Sequence, residues 1–138
     1  MDIDNAPLEE WLDPLKKYQQ GTFKQLVDLH GVEEATKLWI SAQGPSSTVG
    51  FGGESNPQPF YDKFREEFRK LVCGDPAYEQ VRQQLQREAP VVKSIYISMV
   101  SAALGASLGF TATLLAPAVA ALLYLVGQMG LNAWCEVR

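Results

Sequence analysis

The feature that most constrains this chain is its last third, a stretch that is apolar and almost free of charge. Residues 91–135 carry a single ionisable charge, Lys93, close to the start of the stretch. A glycine, two threonines and a proline between residues 109 and 117 divide it into halves of about 20 residues, the length at which a helix crosses the core of a bilayer. The sequence therefore predicts a hydrophobic helical hairpin over residues 91–138 that turns near residues 109–113.

The first 90 residues have the opposite character, because they hold nearly all the charge of the chain, interleaved with apolar residues. The apolar residues recur at helical spacing, turn-forming residues separate the runs, and no run alternates like a β-strand. We therefore predict an all-α fold, a small bundle of amphipathic helices followed by the hydrophobic hairpin. The predicted segments are N-terminal amphipathic helices over 1–42, a flexible Gly/Ser/Pro loop over 43–59, two amphipathic helices over 60–90 and the hairpin over 91–138.

The clearest amphipathic helix is predicted over residues 60–73. One of its faces is apolar and the opposite face is charged, and a glycine follows at position 74, which is typical of a helix end. We expect the apolar face to contribute to an interface if a partner covers the hairpin. This face consists of Phe60, Phe64, Phe68 and Leu71.

Small residues in the hairpin indicate where it packs. Ser101, Gly105 and Gly109 follow one another at four-residue spacing, and the two glycines form a GxxxG motif. Because small side chains let helix backbones approach closely, these residues are predicted to serve helix packing or oligomerisation. Tyr96 and Trp134 lie near the two ends of the apolar stretch, where aromatic side chains would suit the boundary between membrane and water.

The charge and motif content argues against several classes of function. The net charge is −4 with interleaved signs, whereas nucleic-acid binding needs clustered basic residues. The sequence shows no nucleophilic triad, no metal-ligand spacing and no phosphate-binding glycine loop. We therefore expect no catalytic, cofactor-binding or metal-binding residues, and a protein that is not an enzyme. The only histidine, His30, is expected to interact with the dipole at a helix C-terminus.

The cysteines and the N-terminal residues suggest a compartment. Cys73 and Cys135 are far apart in the sequence and form no CxxC motif. Residues 1–4 are acidic and lack the apolar run of a signal peptide. We therefore expect the N-terminal part to lie in a reducing cytosol, with both thiols free.

The hairpin needs a cover, and the sequence leaves three choices open. A helix that is apolar on all sides is either buried in a large core or spans a membrane. The amphipathic helices of residues 1–90 are expected to shield one side of the hairpin and to be too small to bury it. The cover is then lipid, a partner protein or a second copy of the chain, with a self-contained bundle as the remaining choice.

Two functions follow from these choices. The first is a small non-enzymatic membrane-associated protein with a cytoplasmic helical module, a layout that resembles small membrane effectors of bacterial toxin or defence systems. The second is a soluble all-α interaction subunit whose hairpin is buried by a partner protein or in a homo-oligomer. The loop over residues 43–59 is a candidate for proteolytic cleavage, because exposed Gly/Ser/Pro loops are preferred cleavage sites. Its centre is Gly50, Phe51, Gly52 and Gly53.

Overall fold

The computed structural model describes residues 3, 5–43, 58–87 and 92–136, and most of these residues lie in helices. The predicted all-α fold is confirmed, and no strand occurs within these ranges. The helices are α1 (Leu8–Leu12), α2 (Lys17–His30), α3 (Val32–Gln43), α4 (Gln58–Cys73), α5 (Glu79–Gln86), α6 (Lys93–Leu108), α7 (Ala112–Met129) and α8 (Leu131–Glu136), with a 3-10 turn over Pro76–Tyr78 before α5. The centre of the predicted cleavage loop lies outside the described residues.

Two glycines behave differently from the sequence prediction. The sequence predicts a helix boundary at Gly21, with Thr22 as the cap of the helix that follows. Instead α2 continues through Gly21, because Gln19 and Phe23 on either side are buried and hold the segment in the bundle. Gly130, with a φ of 93°, ends the second hairpin helix early and separates α7 from α8. Glycine adopts this left-handed conformation without the penalty that a Cβ would bring.

The centre of the core is α7. Residues 117–123 are all buried, which amounts to about two turns of helix and therefore to every side of it. The helix packs most extensively against α6 and α3, and it also contacts α1, α2 and α8. The expectation that residues 1–90 are too small to bury the hairpin is therefore wrong for α7, because α1, α2 and α3 complete the cover that α6 and α8 begin.

The other hairpin helix, α6, is covered on one side only. Its inner side is buried against α7, α4 and α5. Its outer side is exposed and made of small, uncharged residues. These outer residues are Ser94, Ser98, Ala102 and Ala106, again at four-residue spacing.

A disulfide bond joins the end of α4 to the last helix. Cys73 and Cys135 are bonded, with their Cα atoms 5.7 Å apart and a sequence separation of 62 positions. The prediction of two free thiols is wrong, because the packing of α8 against α4 brings together two cysteines whose spacing along the chain gave no indication of pairing. The bond cross-links α8 to α4, in addition to the packing between these two helices.

Candidate functional sites around the hairpin

The predicted interface stripe of α4 belongs to the chain's own core. Phe64, Phe68 and Leu71 are fully buried, and Phe60 is half-buried with its ring 5.5 Å from that of Phe110 in the turn between α6 and α7. Phe68 packs edge-on against Trp134 of α8, with the ring centroids 5.5 Å apart. In this arrangement the three buried residues present no surface to a partner.

The two aromatic residues proposed for a membrane boundary also lie inside the protein. Tyr96 is buried, and its hydroxyl donates to the carbonyl oxygen of Leu85 at 3.3 Å. Trp134 is buried between Phe68 and the guanidinium of Arg65, which lies 5.8 Å from the indole ring centroid. Both side chains are therefore engaged within the bundle.

The GxxxG glycines shape the turn between α6 and α7. The Phe110 N–H donates to the Gly105 carbonyl at 2.9 Å, and Gly109 takes the left-handed conformation with a φ of 69°. A Cβ built on Gly105 would lie 2.6 Å from the carbonyl oxygen of Phe110. The turn thus requires both glycines, while a role of the motif in oligomerisation stays a prediction.

This close approach makes Gly105 sensitive to substitution. We expect Gly105→Ala to lower the free energy of unfolding by about 1–3 kcal/mol, because the new methyl group meets a backbone atom that can move only if the turn moves. The control is Gly21→Ala in α2, where nothing lies within 4 Å of the added Cβ. It should raise stability by about 1 kcal/mol, as Ala replaces Gly in a helix interior. Urea denaturation of both variants measures the change in the free energy of unfolding. Equal changes in the two variants would contradict the close backbone approach assigned to Gly105.

A proline inside α7 leaves a helix carbonyl that accepts its hydrogen bond from another helix. Pro117 has no N–H, so the carbonyl of Thr113 lacks its usual helical donor. Gln19 of α2 supplies the missing donor, because its Nε2 donates to the Thr113 carbonyl oxygen at 2.9 Å. Trp39 of α3 donates from Nε1 to the adjacent carbonyl of Leu114 at 2.7 Å. The sequence reasoning missed both donors, although a proline within an apolar helix is the signal that such donors are needed.

A second polar cluster connects α4, the 3-10 turn and α6. The Tyr78 hydroxyl donates to Glu67 Oε1 at 2.5 Å and lies 2.6 Å from Ser107 Oγ, and Lys70 Nζ lies 3.2 Å from Glu67 Oε2. Burial and the bond to Glu67 raise the pKa of Tyr78 to about 12. Burial acts against ionisation of Glu67, but the hydrogen bonds from Tyr78 and Lys70 outweigh it and lower the pKa of this carboxyl. The cluster therefore holds a carboxylate whose partners come from its own helix, α4, and from the 3-10 turn.

A cleft of about 320 Å³ lies between the first turns of α2 and α7 and one flank of α6. Ser101, one of the predicted packing residues, is part of its lining; the side chain is 2% exposed, and its Oγ has no hydrogen-bond partner. Among the described residues that line the cleft, Lys16 is the only charged one. The lining consists of Pro14, Leu15, Lys16, Gln19, Ser94, Ile97, Ser98, Ser101, Ala112, Thr113 and Ala116.

No family model, curated protein or solved structure matches this chain. By length and composition, α7 is apolar enough to cross a bilayer, a property that it shares with core helices of soluble proteins. Within the described ranges, no group of three or more His, Cys, Asp or Glu side chains is placed to hold a metal ion. His30 is exposed at the C-terminal end of α2.

Proposed function

We propose that this chain is a non-enzymatic, soluble all-α interaction module that associates through the outer face of α6. The proposal rests on a difference in surface charge between α6 and the other helices at the surface. Exposed charged residues occur on α1 to α5 and on α8, whereas the outer face of α6 has none beyond Lys93 at its start. A surface helix without charge is unusual in a protein that stays alone in water, because the solvent-facing side normally carries polar and charged residues.

The shape of this face favours another helix as its partner. Ser98, Ala102 and Ala106 have short side chains, so a second helix backbone can approach closely along this row. The face offers no charge that would select an oppositely charged partner. A second copy of the same chain supplies a matching surface, because a two-fold axis places the same patch on both subunits. We therefore propose a homodimer in which two α6 helices pack together.

The dimer can be tested with one added charge. Ala102→Glu places a carboxylate in the proposed contact, and its burial without a partner should weaken dimerisation more than 100-fold, since removing the charge from water costs several kcal/mol. Gln84→Glu is the matched control, because it adds the same charge at an exposed position of α5. Sedimentation equilibrium should show a dimer for the wild type and the control and a monomer for Ala102→Glu. A monomeric wild type, or a dimeric Ala102→Glu, would contradict the proposal.

A membrane-acting role is the second candidate, and the length and composition of α7 favour it. Insertion would require α7 to leave a core in which it is buried on all sides, so this role needs an opening of the bundle. Flotation with anionic and with neutral lipid vesicles separates the two candidates. Under the proposed function the protein stays with the lipid-free fraction, while co-flotation together with release of an entrapped dye would support the membrane role.

A further inference from the structure

We propose that the cleft between α2, α6 and α7 binds a small organic molecule through an oxyanion, either a phosphate or a carboxylate group. This cleft shares Ser98 with the proposed dimer contact, whereas Ala102 and Ala106 of that contact do not line it. Three features of the cleft support the proposal, and each comes from a different kind of observation: the helix ends that meet there, an unpaired buried hydroxyl, and the charge and composition of the walls.

The first feature is the pair of helix N-termini in the wall. α2 has 14 residues and begins after Lys16, and α7 has 18 residues and begins after Thr111; neither N-cap side chain accepts a hydrogen bond from its helix. The first N–H groups of a helix have no acceptor within it, and the positive end of the helix dipole favours an anion there. Lys16, Ala112 and Thr113 line the cleft, so the starts of both helices are in reach of one ligand.

The second feature is Ser101. Buried side-chain hydroxyls in folded proteins nearly always have a partner, yet the Oγ of Ser101 has none. Rotation about a single bond lets this hydroxyl turn toward a group held in the cleft, and it can donate to an acceptor there. A carboxylate or phosphate oxygen is such an acceptor. Ser94 and Ser98 on the same helix add two exposed hydroxyls to the wall.

The third feature is the character of the walls. Lys16 brings a positive charge, and none of the described lining residues is acidic, so an anion meets attraction without repulsion from the wall. The volume of about 320 Å³ is at the lower end of the range for small-molecule sites and exceeds what a bare phosphate fills. Leu15 and Ile97 provide apolar surface for an organic body attached to the anionic group.

The test uses backbone amide chemical shifts in a two-dimensional NMR titration of the full chain. The probes are inorganic phosphate, glycerol 3-phosphate and succinate, with uncharged glycerol as the blank. We expect saturable shifts at Lys17, Ala112 and Thr113, and the probe that saturates at the lowest concentration tells phosphate from carboxylate. Lys16→Glu should weaken binding at least tenfold. Lys24→Glu, an equal change of charge at an exposed position of the same helix, should leave it within twofold.

A second variant separates ligand binding from a structural role. Ser101→Ala removes the unpaired hydroxyl, so it should raise the melting temperature of the free protein while weakening the binding of the best probe several-fold. A serine with only a structural role would change the melting temperature and leave binding unaltered. The proposal is overturned if no probe gives saturable shifts, if Lys24→Glu weakens binding as much as Lys16→Glu, or if Ser101→Ala binds like the wild type.

Discussion

Reduction of the bond between Cys73 and Cys135 is expected to lower the free energy of unfolding by about 4 kcal/mol. The bond spans 62 positions, and a cross-link over a loop of that length removes much of the conformational freedom of the unfolded chain. For a chain of this size the loss corresponds to a decrease in melting temperature of about 12 °C. Circular dichroism melting curves recorded with and without a dithiol reductant measure the difference.

The double variant Cys73→Ser and Cys135→Ser is the control for this experiment. It should melt at the temperature of the reduced wild type, and the reductant should have no further effect on it. Equal melting temperatures for the oxidised and reduced wild type would show that α8 is held by its packing alone. In that case contacts such as that between Trp134 and Phe68 would be sufficient to keep the helix in place.

Replacement of Leu122 by alanine is expected to cost about 3 kcal/mol of stability. Leu122 is 0% exposed and lies in the fully buried segment of α7, so its truncation leaves a cavity that the surrounding helices can fill only in part. The free energy of unfolding from urea titration of the isolated chain measures the loss. The experiment tests whether α7 is a core helix of the isolated protein.

Leu29→Ala provides the matched comparison, since Leu29 has the same side chain but is 76% exposed at the end of α2. This variant should change stability by less than about 0.5 kcal/mol, as is usual for surface substitutions. If Leu122→Ala lowered stability as little as Leu29→Ala, α7 would not be packed inside the protein in solution. A membrane or a partner protein would then be needed to cover it.

Local signals in the sequence were sufficient for the helices that depend on near neighbours. The helix predicted over residues 60–73 is α4, Gln58–Cys73, because its apolar stripe and the glycine at position 74 specify the element without reference to the rest of the chain. The cap before α5 is equally local, because the Asp75 carboxylate accepts the Ala77 N–H at 2.9 Å. In both places the deciding contacts are only a few residues apart.

The features that were missed depend on contacts between distant parts of the chain. The cover that residues 1–90 give to α7 comes from α1, α2 and α3, and the donor to the Thr113 carbonyl is Gln19, 94 positions away. Cys73 and Cys135, which form the disulfide bond, are likewise distant in the sequence, with a separation of 62 positions. The cleft could not be predicted either, because its walls come from three helices, although Ser101 was already singled out from its spacing. Such contacts are properties of the packed bundle and leave no periodic pattern in the sequence.

The polar contacts at the proline also decide how α7 is seated. Alanine and leucine recur on all sides of this helix, so apolar attraction alone would hold it almost equally well at several angles about its own axis. Gln19 and Trp39 reach only the carbonyls of Thr113 and Leu114. A turn of the helix by one residue, about 100°, would move the Thr113 carbonyl, which Pro117 leaves without a helical donor, away from Gln19. Pro117, which interrupts the hydrogen bonding of α7, thereby selects one orientation of a helix that is apolar on all sides.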